Sequence, residues 1–444
     1  MKSTPAEAVI GFLSFSGDRR DSLKAIENFT PRQWKYILQW LDDAGLALYF
    51  LQKLKDERAG GSVPPSVLSH LEQNFACNQL RIEEMLRRFD ATNRKFSDAG
   101  VHYTVIKGFS LVPQFCPQAT LRHQADLDYL IDEQSLPAAS RLLTEAGYHS
   151  KICSSSTQSV FVASGKEPAR SGGQYSPHAP HAVELHTDIW DDDMHGVYGI
   201  PKSFSVKQSK TQHWNGLTFP AQADEDAFLL QVLHTCHHLF TQWIRLSSVL
   251  EIGYFLHRRA SDRELWKGIE KRTGDSAVLR ELVVIVTEMS ARLFAAPIPK
   301  VVQSWSTSIR PGPRAWIDNY ARDWAMGGLP VYEFSLFPRS KLALFLLHQY
   351  KSASWVKQSR THHHQPPSSR LGRIAWFIKD DPALLWNADW WRRQHLFRRS
   401  VFYALAELRY LAEIPRWRWL NRANPRTASS IPWSSDSYRS KKAS

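Results

Sequence analysis

The sequence predicts an α/β (α+β) core that is flanked by helical regions on both sides. Apolar residues recur at helical spacing through 1–98, short β-rich runs follow between about 100 and 220, and helical spacing returns from Asp224 onward. A chain of 444 residues also exceeds one ordinary hydrophobic core, so two or three domains are expected. We therefore predict an N-terminal helical region at 1–98, a core domain at 99–222, a C-terminal helical region at 223–420, and a polar, disordered tail at 421–444.

Two helices are marked most clearly in the N-terminal region. Thr30-Pro31 places a capping residue before a proline at the first helical turn, and apolar residues then follow at helical spacing. After a polar break at 56–65, a long amphipathic helix carries an apolar face. That face is formed by Leu68, Leu71, Phe75, Ile82, Met85 and Phe89.

The central block alternates strand and helix patterns. Strands are predicted at 101–106, 125–131, 148–153, 160–163 and 182–186, and helices at 110–115 and 136–146. Gly147 is expected to end the second of these helices, and the stretch 165–180, which is rich in Gly, Pro and Ser, is typical of a loop.

Helical patterns dominate the rest of the chain. They cover 227–238, 245–257, 279–295, 342–350 and 401–411. Between the last two, the polar stretch 352–370 contains His362-His363-His364, which is typical of a solvated loop or hinge.

Charge and composition restrict the class of protein. A net charge of +13 favours anionic partners, whether nucleotides, nucleic acid or a membrane surface. The four cysteines are far apart without a CxxC pair, which disfavours a disulfide framework and a thiolate zinc site. The first residues do not resemble a secretory signal, and no apolar stretch reaches about 18 residues, so we expect no transmembrane segment and a cytoplasmic location.

Three acidic residues form the strongest candidate site. Asp126 and Asp128 are separated by one residue in a strand pattern, so their carboxylates point to the same face of a sheet. Two adjacent carboxylates repel each other unless a cation lies between them, and Mg²⁺ binds through such oxygen ligands. Glu184 alternates with apolar neighbours on a later strand and is expected to be the third ligand. Three carboxylates can hold two Mg²⁺ ions and assist in-line attack on a phosphate.

A phosphate-binding turn is predicted beside these acids. Gly108 allows the backbone to approach a triphosphate closely, and a helix that begins near Ser110 would point its free amide groups at the phosphates. The simplest alternative is that the Asp pair lies in a solvated strand or turn.

The motifs resemble the uncharacterised nucleotidyltransferase family of the DNA-polymerase-β-like superfamily. The resemblance lies in K-G-F-S-L, R-H-Q-A-D-L-D-Y-L-I and V-E-L-H-T-D-I-W, and it covers about residues 100–260. It places in family positions Lys107, Gly108, Arg122, Asp126, Asp128, Glu184 and His186. The superfamily usually has Gly-Ser where this chain has Lys107-Gly108, and Ser110 is the candidate for the role of that serine.

The resemblance implies a mixed sheet with both Asp residues on one central strand. It also implies transfer of a nucleoside monophosphate from a nucleoside triphosphate, with release of pyrophosphate and with two Mg²⁺ ions, or Mn²⁺, as cofactors. Members of the superfamily use varied acceptors, which for this chain leaves a protein, peptide, small molecule or RNA.

Roles for the remaining motif residues follow from their charge. Lys107 and Arg122 are candidate triphosphate clamps, although Arg122 can equally pair with a site carboxylate and hold it in place. His186 lies on the same strand face as Glu184 and can orient a carboxylate, or it can be an ordinary core histidine.

Two other regions carry suggestive patterns. His234, His237 and His238 lie near one face of a helix, where they can line an acceptor site, pack internally or bind a transition metal, and Glu251 is a candidate buried partner. The stretch 390–427 has nine Arg and two acidic residues, interleaved with Trp. It suits nucleic acid or an anionic membrane surface, and equally an exposed helix whose Trp residues pack inward.

The sequence therefore supports more than one function. The first hypothesis is a nucleotidyltransferase with catalytic acids Asp126, Asp128 and Glu184. The alternatives are a catalytically idle fold of the same class that binds nucleotide or RNA, and a related transferase that acts on a peptide or small molecule.

Overall fold

The computed structural model describes residues 4–17, 19–151, 157–163, 174–177, 181–190, 197, 199–201, 204, 206–241, 245–326 and 415. They belong to two compact units: the first contains the described residues up to 190 and from 199 to 309, and the second contains 197, 310–326 and 415. The predicted helices at 342–350 and 401–411, the histidine-containing stretch 352–370, the basic stretch 390–427 and the polar tail lie outside the described residues, apart from position 415.

The N-terminal part of the first unit is helical, as predicted. Its helices are α1 (Pro5–Leu13), α2 (Arg20–Glu27), α3 (Pro31–Asp43), α4 (Ala47–Asp56) and α5 (Pro65–Asp98). The predicted start of α3 is confirmed, because Thr30 and Gln33 form a capping box in which each side chain bonds the other's backbone N–H.

Helix α5 packs against the sheet and also forms hydrogen bonds with the backbone of residues 120–124. Its buried face includes Leu71, Ile82, Met85 and Phe89 of the predicted set, whereas Leu68 and Phe75 are half-buried. Two polar residues of α5 are buried as well: Asn78 and Arg81 donate hydrogen bonds to the backbone carbonyls of residues 120, 122 and 124. This long helix therefore fixes the path of the chain that leads into the strand with the two Asp residues.

The sheet of the first unit is mixed and has seven strands. They are β1 (Tyr103–Ile106), β2 (Asp126–Ile131), β3 (Tyr148–Lys151), β4 (Gln158–Ala163), β5 (Ala182–His186), β6 (Ser209–Trp214) and β7 (Leu217–Gln222), in the spatial order β3-β4-β5-β2-β1-β7-β6. The pairs β2–β5 and β1–β7 are parallel, and the other pairs are antiparallel. The mixed sheet is thus confirmed, and β2 is its central strand.

The two faces of β2 have different surroundings. Tyr129 points toward α5, where its ring contacts Phe89, Phe96 and Tyr103. Residues of the opposite parity face the other way, and Leu130 packs there with Ile106 of β1 and Leu230. Because side chains alternate along a strand, Asp126 and Asp128 share this second face with Leu130.

The β6–β7 hairpin was not recognised from the sequence. Asn215 and Gly216 form its two-residue loop, and both have positive φ, 52° and 75°. Positive φ at both central positions is the requirement of a type I′ turn, and Asn-Gly is its preferred sequence. The signal was therefore present in the sequence, but the polar β6 lacks the apolar alternation of the other strands.

The remaining elements are helices, most of which follow the hairpin in the chain. In the first unit these are α6 (Leu136–Glu145) between β2 and β3, then α7 (Asp224–Thr241), α8 (Leu246–Arg259), α9 (Arg263–Thr273), α10 (Ala277–Phe294) and α11 (Lys300–Ser306). The second unit has α12 (Pro311–Asn319) and α13 (Ala321–Ala325). The predicted helices at 136–146, 227–238, 245–257 and 279–295 are confirmed. None of the described helices is both long and apolar enough to cross a membrane.

Candidate active site

The register of the central strands brings the predicted acids onto one face. Asp128 of β2 lies opposite Glu184 of the parallel strand β5 and opposite Ile106, the last residue of β1. Asp126 lies two residues earlier on the same face, opposite Ala182. The site is thus formed where β1 ends beside the middle of β2.

Asp128 is the centre of a compact ionic cluster. Its Oδ1 atom accepts hydrogen bonds from Lys107 Nζ at 2.7 Å and from His186 Nε2 at 3.0 Å. His186 Nε2 is also 3.5 Å from Glu184 Oε2. The side chain of Asp128 is only 2% exposed, compared with 18% for Glu184. The cluster is therefore buried at Asp128 and opens toward Glu184.

Gln158 belongs to the same cluster, although no sequence motif predicts it there. Its Nε2 donates a 2.6 Å hydrogen bond to Glu184 Oε2. Gln158 lies opposite His186 in the antiparallel β4–β5 pair, so it shares a face with Glu184 and His186. Only the strand pairing brings it there, because a lone Gln in a strand pattern carries no functional signal.

The two Asp residues of β2 have opposite electrostatic environments. Burial disfavours the charge on Asp128, but Lys107 and His186 outweigh this effect and hold its pKa well below the ordinary value. Burial is the largest cause that raises the pKa of Asp126, and together with the negative charges of Asp128 and Glu184 it brings this pKa to about 6 against the opposing effect of Lys107. Among the described residues, none donates a hydrogen bond to the Asp126 carboxylate.

The ligand atoms that converge most closely come from Asp128, Glu184 and His186. One atom of each lies within 4.8 Å of the others, so a single cation can contact all three. Asp126 does not belong to this tight group, although it lies on the same face. The predicted metal ligands Asp128 and Glu184 are thus brought together, and the roles of all three acids remain a prediction.

The turn after β1 differs from the predicted helix. Gly108–Leu111 forms a short 3₁₀ turn in place of a helix at 110–115, because the chain meets Pro113. Proline disfavours helical geometry in the residue before it, and Val112 is extended, with φ −89° and ψ 134°. The expected row of free helical amides near Ser110 is therefore absent, and the Ser110 hydroxyl donates to the Lys107 carbonyl at 2.7 Å.

Lys107 and Gly108 adopt left-handed backbone conformations, with φ of 57° and 51°. At Lys107 this breaks the alternation of β1, and the side chain reaches Asp128. At Gly108 a Cβ atom would lie 2.5 Å from the Nε2 atom of the buried Gln124 side chain. Glycine is thus favoured at 108, because its positive φ suits glycine and a Cβ atom would displace a Gln124 amide that donates to the Asp126 carbonyl.

Arg122 pairs with an acid, but the acid is Glu251 of α8 and not a member of the acid cluster. Its Nε atom is 3.0 Å from Glu251 Oε1, and both groups are buried. Glu251 also accepts hydrogen bonds from Tyr49 of α4 and Gln231 of α7, at 2.9 and 3.0 Å. Glu251 raises the pKa of Arg122 against the opposing effect of burial. Three helices therefore fix the position of this guanidinium.

The histidine helix is α7, and two of its histidines, His234 and His238, stay neutral. His238 Nε2 and His234 Nε2 are 3.2 Å apart, so one ring donates its N–H to the other. Burial lowers both pKa values well below the ordinary value, and Lys107, Arg122 and Arg245 lower them further. Within the described part of the chain, the His, Cys, Asp and Glu side chains form no convergent group of three at α7, so a transition-metal site there is not supported.

A family model described as uncharacterised nucleotidyltransferase matches residues 30–295. The match extends beyond the segment whose motifs resemble the family, and it includes the whole sheet together with α3–α10. The chain therefore belongs to this family of uncharacterised nucleotidyltransferases. No curated protein matches the sequence.

Proposed function

We propose that this protein transfers a nucleoside monophosphate from a nucleoside triphosphate to an acceptor, with release of pyrophosphate. The observation that carries the proposal is the register of β2 and β5, which holds Asp128 and Glu184 directly opposite each other on neighbouring parallel strands. Asp126 adds a second carboxylate from β2 on the same face. Family membership supports the same class of reaction.

The face of β2 and β5 that carries Asp126, Asp128 and Glu184, called the acid face below, fits a divalent cation. We assign Mg²⁺ to it, with Mn²⁺ as the second choice. Asp128 and Glu184 supply the oxygen ligands that both ions favour, and Asp126 would complete a site for two ions. Because Mg²⁺ favours oxygen over nitrogen, His186 fits best as the group that orients Asp128 through its 3.0 Å hydrogen bond. When bound, the ions would stabilise the charge on the attacked phosphate and on the leaving pyrophosphate.

The nucleotide is proposed to lie beside the turn after β1. Gly108 allows a close approach of the backbone, and the Ser110 hydroxyl is available there if it exchanges its bond to the Lys107 carbonyl for a phosphate oxygen. Lys107 and Arg122 would bind the phosphates. Arg122 is held for this by Glu251, whereas Lys107 would have to leave Asp128.

The helical region after Asp224 is proposed to frame the acceptor. Helices α7 and α8 border the acid face, because Leu230 packs on Leu130 of β2 and Glu251 pairs with Arg122. The acceptor is a protein, peptide, small molecule or RNA, and the basic stretch 390–427 would favour a nucleic acid.

One observation favours the idle fold as a second candidate. Asp128 is already satisfied without a metal ion, since Lys107 and His186 both donate to its Oδ1 atom. A protein that only binds nucleotide needs no more than this internal compensation. A catalytic protein must exchange Lys107 for a cation when the substrate binds.

The test is pyrophosphate release from each labelled nucleoside triphosphate, with Mg²⁺ or Mn²⁺. The wild-type protein should release pyrophosphate with at least one of them, and Asp128→Asn should lower the rate by about 10²–10³-fold. Asp132→Asn is the matched control, because Asp132 follows β2 directly but pairs with His102 at the surface. Nucleotide binding without pyrophosphate release, for every nucleotide and added acceptor, would instead establish the idle fold.

A further inference from the structure

Arg245 is a half-buried cation that neither the motifs nor the assigned site includes. It lies directly before α8, and its Nη2 atom donates a 2.6 Å hydrogen bond to the backbone carbonyl of His123. Among the described residues, no carboxylate lies within ion-pairing distance of its guanidinium. An arginine that donates to a single carbonyl keeps further N–H donors, and among the described residues the charge of Arg245 has no direct counter-ion.

The neighbours of Arg245 increase this excess of positive charge. Arg122 lies close enough for its charge to lower the pKa of Arg245, in addition to the larger effect of burial. The buried Arg81 donates to the carbonyls of residues 124 and 176. Among the described residues, the acids that act on Arg245 are Glu251, which Arg122 already engages, and Asp126. Asp126 belongs to the candidate metal site, so Arg245 has no carboxylate of its own in the described part of the chain.

Helix α7 contributes neutral donors at the same place. His234 and His238 follow Leu230 by one and two helical turns, so they lie on the helix face that packs toward β2. The effect of Lys107, Arg122 and Arg245 on their pKa values places both rings beside these cations. Neutral imidazole rings do not repel the cations further, and the ring that accepts the hydrogen bond between them can donate its one N–H to an anion.

We propose that Arg245 and Arg122 form an anion subsite next to Asp126 that binds the β- and γ-phosphates of the nucleoside triphosphate and holds pyrophosphate before it is released. A polyphosphate carries the several negative charges that match two guanidinium groups and Lys107, and each guanidinium can bind two phosphate oxygens at once. The position beside the acid face is where the leaving pyrophosphate of the proposed reaction would lie. This inference rests on the proposed function for the identity of the ligand, but its test does not require turnover.

The experiment is a calorimetric titration of the whole protein with inorganic tripolyphosphate and with pyrophosphate, with and without Mg²⁺. Arg245→Met should weaken binding of tripolyphosphate by about tenfold or more, as expected for the loss of a charge-assisted contact. Arg245→Lys, which keeps the charge but not the fork of donors, should lose less. Arg258→Met is the matched control, because Arg258 lies on α8 and likewise donates to a backbone carbonyl, that of Pro113, but is exposed.

A structural role for Arg245 is separated from a binding role by two further measurements. Binding of Mn²⁺ alone, and the melting temperature, should stay close to wild type in Arg245→Lys if the residue acts on the phosphates. Equal tripolyphosphate affinity in the wild type, Arg245→Met and Arg258→Met would overturn the proposal, and so would a wild-type protein that binds no tripolyphosphate. If Arg245→Met weakened binding of a short oligonucleotide but not of tripolyphosphate, the subsite would belong to an acceptor phosphate, and the assignment to the donor would be wrong.

The subsite and the proposed function can fail independently. Binding of tripolyphosphate that depends on Arg245, in a protein that releases pyrophosphate from no nucleotide, would keep the subsite and reject the transferase. Pyrophosphate release that is unaffected by Arg245→Met would keep the transferase and reject the subsite.

Discussion

The acid face and the arginine cluster lie side by side, but they are built in different ways. Asp128, Glu184 and His186 are neighbours because the two strands β2 and β5 pair in one register, and Lys107 and His186 compensate the charge of Asp128. Arg122 and Arg245 come from a loop and from the start of a helix, and each depends on distant partners. The charge of Asp128 is thus balanced by its own neighbours, whereas Arg245 has no carboxylate partner among the described residues and an anionic ligand would supply one.

The largest effect is expected from substitution of Glu251, the acid that holds Arg122 in place. Glu251→Ala removes the counter-charge of Arg122 and a hydrogen-bond acceptor of Tyr49 and Gln231. Loss of one partner from a buried ion pair costs about 3–5 kcal/mol, so we expect a reduced free energy of unfolding by urea denaturation. Because Arg122 would also lose its orientation, nucleotide affinity should fall at least tenfold in calorimetry under conditions where the variant is folded.

Glu288→Ala is the matched control for this prediction. Glu288 is a buried acid that pairs with Arg292 at 3.0 Å within α10 and accepts a hydrogen bond from Ser306. It should destabilise the fold in a similar way and leave nucleotide affinity unchanged. Similar nucleotide affinities in the two variants would mean that Glu251 contributes to stability alone.

The same contrast explains how much could be predicted from the sequence. Asp126, Asp128 and Glu184 were predicted to share a face because strand alternation is a local rule, and the parallel pairing of β2 with β5 confirmed that placement. Gln158, Arg245 and the partnership of Arg122 with Glu251 depend on contacts between residues 26 to 129 positions apart. No local pattern encodes such contacts, and Glu251 was expected beside the histidines of α7, not beside Arg122.

The errors in secondary structure also have local causes. At 110–115 the apolar spacing favoured a helix, but Pro113 fixes the preceding residue in an extended conformation. The Asn-Gly pair between β6 and β7 is typical of a hairpin turn. The hairpin was missed because the polar residues of β6 do not show the alternation that is typical of a strand.

Lys107 gives the next largest expected effect. Its ammonium group lies on the oxygen of Asp128 that a cation would use, so Lys107→Met should raise the affinity for Mn²⁺ by about tenfold in the absence of nucleotide, which corresponds to about 1.4 kcal/mol. The same substitution should weaken nucleotide binding, because the proposed phosphate contact is lost. Titration of Mn²⁺ by electron paramagnetic resonance measures the first effect, and calorimetry measures the second.

Lys210→Met is the control for this substitution. Lys210 also pairs with an aspartate, Asp224, but it lies on β6 away from the acid cluster. Its loss should change neither affinity. If Lys107→Met bound Mn²⁺ no more tightly than Lys210→Met did, Lys107 would not compete with a cation for Asp128.

The smallest effect should distinguish the two Asp residues of β2 in the metal-free protein. The pKa of Asp126 is raised to about 6, so the folded state is penalised when this group ionises, and the penalty is absent below the ordinary pKa and complete above pH 6. Asp126→Asn should therefore raise the melting temperature by about 2–4 °C at pH 8 and by much less at pH 4. The pKa of Asp128 is lowered, so its charge stabilises the fold above its ordinary pKa, and Asp128→Asn should lower the melting temperature at pH 8.

Thermal melts of both variants in EDTA at the two pH values test this reversal of sign. Equal shifts in the same direction at pH 8 would show that Lys107 and His186 do not favour one carboxylate over the other.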